Sequence, residues 1–315
     1  MTRSLAMRAF PLLLGTVGLL LFAASTLVGP MAAGAETGAV VRESSMTLWV
    51  PNDDLDGAYV HVSMLLNDDG TGDFGTMLAG VRVDMMARFP GAVLLADSGV
   101  TAQFVHAGYK WTEKGTAYTY NSVAKPTGLK DDAAVVAAAA AEWNASGADW
   151  TFSGGAPSEN GTGGCDARGR DHKNTIGWVD QTGQTLAVTC TWYTNATPGV
   201  ATEFDMEIDP GWSWTTGSPV QTDLQSIVLH EFGHAIGLGH TGERCPGPVM
   251  CATYNVGRTI RQVSADDRAA IIALYGAAPT PSPTPTPSRT PTPTPTQIAI
   301  VRGGFRAVAQ LLARD

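Results

Sequence analysis

Basic residues are scarce in this chain. Its 315 residues carry 20 Lys and Arg against 29 Asp and Glu, a formal net charge of −9. That balance argues against nucleic acid as the main partner, because phosphate binding needs a basic face. Cysteine is rarer, with four residues and none before Cys165. Long apolar runs are missing beyond the first thirty residues, and mean hydropathy is +0.01. The chain is therefore neither a multi-span membrane protein nor a disordered one. An LPxTG-type sorting sequence is also absent.

Charge is unevenly placed. Residues 1–35 hold two Arg and no acid, residues 36–276 hold 14 basic and 28 acidic residues, and residues 277–315 hold four Arg and one Asp. Arg3 and Arg8 precede an apolar run from Phe10 to Ala24, and Ala33-Gly34-Ala35 follows the break at Gly29-Pro30. This is the layout of a secretory signal peptide over 1–35, cut after Ala35. The alternative is an uncleaved anchor, since apolar residues continue to Val28. No Cys lies near the cut, which argues against a lipoprotein anchor.

At the other end, residues 277–296 are a Pro/Thr-rich linker, an extended spacer that cannot pack a core. The tail, 297–315, places Phe305, Val308 and Leu312 on one helical face with Arg302, Arg306 and Arg314 around it. It reads either as a surface-retention tail or as a frayed terminus. In an exported chain, Cys165, Cys190, Cys245 and Cys251 suggest two disulfides. Three connectivities are open, and the sequence neighbours Cys165–Cys190 and Cys245–Cys251 are the expected pairs.

The chemistry concentrates in HEFGHAIGLGH, His230 to His240. The run Leu224 to Leu229 before it has a helical pattern, with Asp223 as a candidate cap. On a helix His230 and His234 lie one turn apart on the same face. Two imidazoles so placed reach one Zn²⁺ at about 2.0–2.1 Å. Gly237 tolerates the left-handed conformation that ends a helix, so the chain can turn and bring His240 in as third ligand. Three protein ligands leave a position for water, the mark of a catalytic zinc. Glu231 sits beside that position as general base and acid for amide hydrolysis.

HEFGHAIGLGH resembles the metzincin zinc-peptidase pattern HExxHxxGxxH, and looks most like the matrixin branch. The resemblance implies that Met250, in PVMCATY, is the Met-turn methionine beneath the metal. It implies that Tyr254 lines the pocket for the residue after the cut bond. Ala252 stands where astacin-like enzymes carry Tyr, so that branch is less similar. Ser264-Ala265-Asp266-Asp267 followed by RAAIIALYG looks like the closing matrixin helix, capped by Ser264 and ended by Gly276. Upstream, strands are expected near 111–120, 150–152, 174–180, 185–189 (strongly alternating) and 203–208. A helix capped by Asp131 or Asp132 is expected to run to Asn144. The fold class implied is α+β: a metzincin-like catalytic domain over 107–276, with a twisted mixed β-sheet and an active-site helix. A β-rich segment precedes it and the Pro/Thr linker follows. Leu186 and Ala187 would lie on the edge strand that pairs with an extended substrate.

Some family features are missing. Val188 and Glu203 occupy the places where animal matrixins hold a second zinc with His, so a structural zinc is not expected, and His172 beside Asp171 reads as solvated. Asp205 and Glu207 could contribute to a calcium site, although a solvated strand end is favoured. The stretch LNDDGTGDFG spaces Asn67, Asp69 and Gly72 like an EF-hand, but Leu78 falls where a bidentate acid is required, which leaves an acidic turn. With no Cys ahead of Cys165, the family's cysteine latency switch cannot operate. Residues 36–106 are then a pro-segment of another kind, an accessory β-module, or extra strands on the catalytic domain. The reading that follows is a secreted, monomeric zinc endopeptidase acting on protein or peptide substrates, with one catalytic Zn²⁺ and possible cell-surface association through the tail. The alternatives are a surface-attached zinc-containing binding protein, or a zinc hydrolase of cell-wall amides.

Overall fold

The structure is a computed structural model that describes residues 40–51, 58–96, 106–154, 164–166, 170–217, 222–242, 247–255 and 257–280. The expected signal peptide, the C-terminal tail and all but the start of the linker lie outside the described residues. Among the described residues no helix is long and apolar enough to cross a membrane.

Ahead of the expected catalytic region come strands β1 (Val40–Val50) and β2 (Ala58–Asp68), helix α1 (Phe74–Arg88) and strand β3 (Val93–Ala96). The acidic stretch before α1 forms local turns: Asp69 accepts the Thr71 N–H at 2.9 Å, and Asp73 caps the helix by accepting the Gly75 N–H at 3.1 Å. Short strands β4 (Tyr109–Lys110) and β5 (Gly115–Tyr120) follow, then helix α2 (Asp132–Asn144) and strands β6 (Thr151–Gly154), β7 (Thr175–Trp178), β8 (Thr185–Tyr193) and β9 (Gly199–Ile208). Strands β10 (Trp214–Thr215) and β11 (Thr222–Asp223) lead into helix α3 (Leu224–Ile236), and strand β12 (Thr253–Asn255) and helix α4 (Ala265–Tyr275) close the chain. The class is α+β, as expected. Asp131 occupies the cap position of α2 at φ 58° but makes no side-chain capping bond. Ser264 forms a reciprocal capping box with Asp267 on α4.

The main sheet runs β12-β1-β2-β8-β9-β7-β5-β6. The pairs among β6, β5, β7 and β9 are parallel, and those among β9, β8, β2, β1 and β12 are antiparallel. The strand carrying Leu186 and Ala187 is therefore not an edge here, because β2 pairs along it from Tyr59↔Tyr193 to Leu66↔Thr185. Nor does burial alternate along β8: its first eight residues are all buried. The reason is that both sheet faces are covered. Side chains two apart share a face, and Val188, Cys190 and Trp192 of β8 join Val60, Val62 and Met64 of β2, Met46 and Leu48 of β1, and Val81 and Met85 of α1 in one apolar cluster. Leu65, Leu186 and Ala187 belong to the other cluster, with α2, α3 and α4. A fully buried side chain of this size contributes about 1.5–3 kcal/mol relative to exposure. The N-terminal strands are thus docked by packing as well as by backbone hydrogen bonds.

One ion pair ties α1 to the sheet. Arg88 Nη1 lies 2.9 Å from Glu207 Oε2, whose carboxylate is 5% exposed. Glu207 also accepts from Gln181 at 2.8 Å and from the Cys165 N–H at 2.9 Å. That carboxylate, a candidate calcium ligand by sequence, instead receives a guanidinium. Arg88→Met would leave it buried without its cation, and with Arg88 partly exposed the expected loss is about 2 kcal/mol in urea melts. Asp84→Ala, at the exposed end of the same network, should change stability by less than about 0.5 kcal/mol.

Candidate metal centre

Helix α3 is fixed at both ends by polar contacts that its sequence only partly announces. At the start, Asp223 accepts the Ser226 N–H at 3.0 Å and pairs with Arg261. At the end, Gly237 adopts φ 105° and turns the chain back. The last carbonyls of a helix lack partners within it, and here three side chains supply donors. Tyr109 Oη bonds His234 O at 2.8 Å, Trp111 Nε1 bonds Ala235 O at 2.8 Å, and Tyr275 Oη bonds Ile236 O at 2.6 Å. Trp143 of α2 adds a bond from Nε1 to Leu229 O at 2.8 Å.

The fixed helix presents His230 and His234 to one point, and the Gly237 turn delivers His240 to it. Ring centroids are 4.9 Å apart for His230–His234, 5.5 Å for His230–His240 and 4.9 Å for His234–His240. His230 Nδ1 lies 2.7 Å from Val249 O, and His234 Nδ1 lies 2.9 Å from Leu238 O. A carbonyl accepts only from a protonated nitrogen, so each Nδ1 carries a proton and each Nε2 is turned to the centre. This is the orientation metal-bound imidazoles require. The donor set therefore fits a zinc ion.

A fourth group stands there that the sequence did not announce. Glu43 of β1 places its carboxylate among the three imidazoles, with Oε2 2.5 Å from His230 Nε2, Oε1 2.9 Å from His234 Nε2, and a contact to His240 Nε2. One ligand atom from each of these four residues lies within 4.8 Å of every other. The Glu43 side chain is fully buried. Burial alone would raise its pKa, but the surrounding His234, His240 and His230 hold it well below the usual carboxylate range.

Glu231 lies on the same helix, 0% exposed, and neither of its carboxylate oxygens has a hydrogen-bond partner. Burial pushes its pKa up, against the pull of His230; the Glu43 charge adds to the rise and the neighbouring Thr189 hydroxyl lowers it. An orphaned buried carboxylate is costly, so a functional partner is the natural explanation.

Beneath the imidazoles, Met250 is 1% exposed. Its turn is held by Asp267 of α4, which accepts the Val249 N–H at 2.8 Å and the Met250 N–H at 3.1 Å. Thr241, just past His240, donates its N–H to Met250 O at 2.8 Å. By sequence Asp267 belongs only to the acidic first turn of α4, and nothing around it reveals this second role. Asp267→Ala should cost about 3 kcal/mol by stranding buried N–H groups, read as a lowered melting temperature.

Of the remaining candidates, Leu186 and Ala187 are buried in β8, and the backbone of Tyr254 pairs with Val41 in β12. The Tyr254 side chain lies outside the described part of the structure. Cys165 and Cys190 form a disulfide with a Cα–Cα separation of 5.5 Å. Cys251 is also disulfide-bonded, and Cys245 lies outside the described residues. Val188 is buried in the sheet, and Glu203 accepts the N–H groups of Asp171 and His172 at 2.9 and 2.8 Å, which ties that loop to β9.

Residues 110–276, just over half of the chain, match the family model for matrixin peptidases. The chain belongs to the matrixin family. Human matrix metalloproteinase-25 is 41% identical over 80 residues, covering 24% of this chain and 14% of the relative. Stromelysin-3 of Xenopus laevis is 38% identical over 80 residues, covering 25% and 16%. Human matrilysin is 35% identical over 80 residues, covering 25% and 29%. The chain thus spans less than a third of the length of these curated relatives. In this matrixin the strands β1 and β2, the helix α1 and Glu43 lie ahead of the matched region.

Proposed function

We propose that this matrixin is an exported, zinc-dependent endopeptidase that cleaves protein or peptide substrates. The observation that carries the reading is the convergence of three imidazoles, two of them with Nδ1 tied to backbone carbonyls, beside a buried carboxylate without partners. His230, His234 and His240 would hold zinc, which when bound polarises the scissile carbonyl and lowers the pKa of water. Glu231 takes the proton of the attacking water and passes it to the leaving amine. Its lack of other partners keeps its lone pairs available for that transfer. Met250 and Asp267 keep the floor of the site rigid. Once β2 is displaced from it, the backbone of β8 around Leu186 and Ala187 would align an extended substrate as an added strand, which orients its peptide bonds over the site.

Export is supported by the signal-like start and by disulfides at Cys190 and Cys251, since disulfides persist in oxidising compartments. The matrixin unit over 107–276, a linker over 277–296 and a tail over 297–315 that holds the enzyme near the cell surface complete the proposal. The experiment is cleavage of a diverse peptide library by the purified chain. Chelator should abolish cleavage and added zinc should restore it. Cleavage indifferent to chelator would remove the metal from the mechanism.

A further inference from the structure

We propose that Glu43 is a fourth ligand to the catalytic metal and that β1 and β2 together hold this enzyme latent, in place of a cysteine switch. This rests on the zinc-peptidase reading above and adds a residue and a regulatory role to it. A catalytic zinc needs one position free of protein ligands for water. The Glu43 carboxylate points at the place where the three imidazole nitrogens converge, with its ligand atom within 4.8 Å of each of theirs, so it stands within reach of that position. It is an anionic oxygen donor at the meeting point of three imidazole nitrogens, chemistry suited to zinc.

The second requirement for cleavage, an open strand edge, is also taken. Register connects the two blocks, because Glu43 lies opposite Leu65 of β2, and Leu65 lies opposite Ala187 of β8. The strand that blocks the metal is thus two strands away from the one that would align a substrate, with β2 between them. On its other side β1 pairs with β12, and the Glu43 N–H bonds Ala252 O at 3.0 Å beside the Met-turn. The cleft between β8 and β12 is therefore filled by the chain's own two strands. Alternation along β1 places Glu43 on the metal side, while Met46, Leu48 and Val50 pack with α1 on the other. Arg82 of α1 supports that placement with a 2.9 Å bond to Ser44 Oγ, the neighbour of Glu43. The segment before the matrixin region thus acts as an inhibitory pro-segment whose removal or displacement opens both the metal and the edge.

The test uses the full chain loaded with zinc, as wild type, Glu43→Ala and Glu43→Gln. X-ray absorption at the zinc edge reads the ligands directly, and binding of a small hydroxamic acid reads access to the metal. In wild type the expected shell is three imidazole nitrogens and a carboxylate, with weak hydroxamate binding. In both variants solvent oxygen should replace the carboxylate and hydroxamate affinity should rise at least about tenfold, while peptide turnover should rise only after proteolytic release of β1 and β2, which also frees the edge of β8. The Gln variant keeps the size of the side chain, so the result does not hinge on tolerance of a cavity. An identical zinc shell and equal hydroxamate affinity in all three proteins would overturn the proposal. A changed shell with no peptide cleavage even after β1 and β2 have been released by limited proteolysis would uphold the Glu43 assignment and sink the endopeptidase reading.

Discussion

Glu231→Gln should lower kcat/KM for a peptide substrate by about 10³-fold, within the range for loss of a general acid–base. The loss should appear almost wholly in kcat, measured in the Glu43→Ala chain after proteolytic release of β1 and β2, where both the metal and the β8 edge are accessible. The reason is local. Glu231 is fully buried and only the Thr189 hydroxyl stands beside its carboxylate, a contact that the amide oxygen of Gln can keep. Folding and zinc content should therefore be close to unchanged. The carboxylate is needed only while a proton is in transit. Near wild-type turnover in Glu231→Gln at equal zinc loading would assign the proton transfer to another group.

The second large effect is expected at Gly233, between His230 and His234 on α3. A Cβ there would lie 2.1 Å from Met250 Sδ and 3.1 Å from Trp143 Cζ2. Two effects oppose each other in Gly233→Ala. Alanine favours a helix interior by about 1 kcal/mol over glycine, while overpacking a rigid core costs about 1–3 kcal/mol or more. The clash is expected to win, because both neighbours are held. The Met250 backbone is pinned by Asp267 and Thr241, and the Trp143 ring by its bond to Leu229 O. Relief must come from a shift of α3 or of the Met-turn, and either moves the ligands. Zinc affinity should fall about 10–100-fold, as when supporting contacts of a metal site are lost. Adding Met250→Ala to Gly233→Ala removes the sulfur and should recover part of that affinity. A zinc affinity unchanged in the single variant would show that the Met-turn is not a rigid floor.

These two residues lie in the part of the molecule that the sequence announces well. The helix at His230–His234, its cap at Asp223 and its Gly237 stop are local signals read within one short stretch of chain. The Ser264 capping box is another. Contacts that join distant segments leave no such mark. Glu43 reaches His230 across 187 residues, and around it Arg42-Glu43-Ser44-Ser45 reads as an ordinary polar stretch. Its burial depends on β1 being covered on both edges and both faces, which no local pattern encodes. Helix α1 is hidden for a related reason. Its apolar residues Phe74, Leu78, Val81 and Met85 do recur at helical spacing, but what they pack against is set by β1, β2 and β8, which no local pattern encodes. The alternation expected for β8 follows from treating it as an edge strand with one wet face. With β2 beside it and α1 beneath, both faces are dry and the alternation vanishes.

The most direct measurement is peptide-library cleavage by the zinc-loaded Glu43→Ala chain after proteolytic release of β1 and β2, read by mass spectrometry against the same protein treated with chelator. The account predicts cleavage between internal residues that stops on zinc removal, returns on zinc addition, and exceeds that of the wild-type chain. An intact library in the presence of one zinc per chain would contradict it.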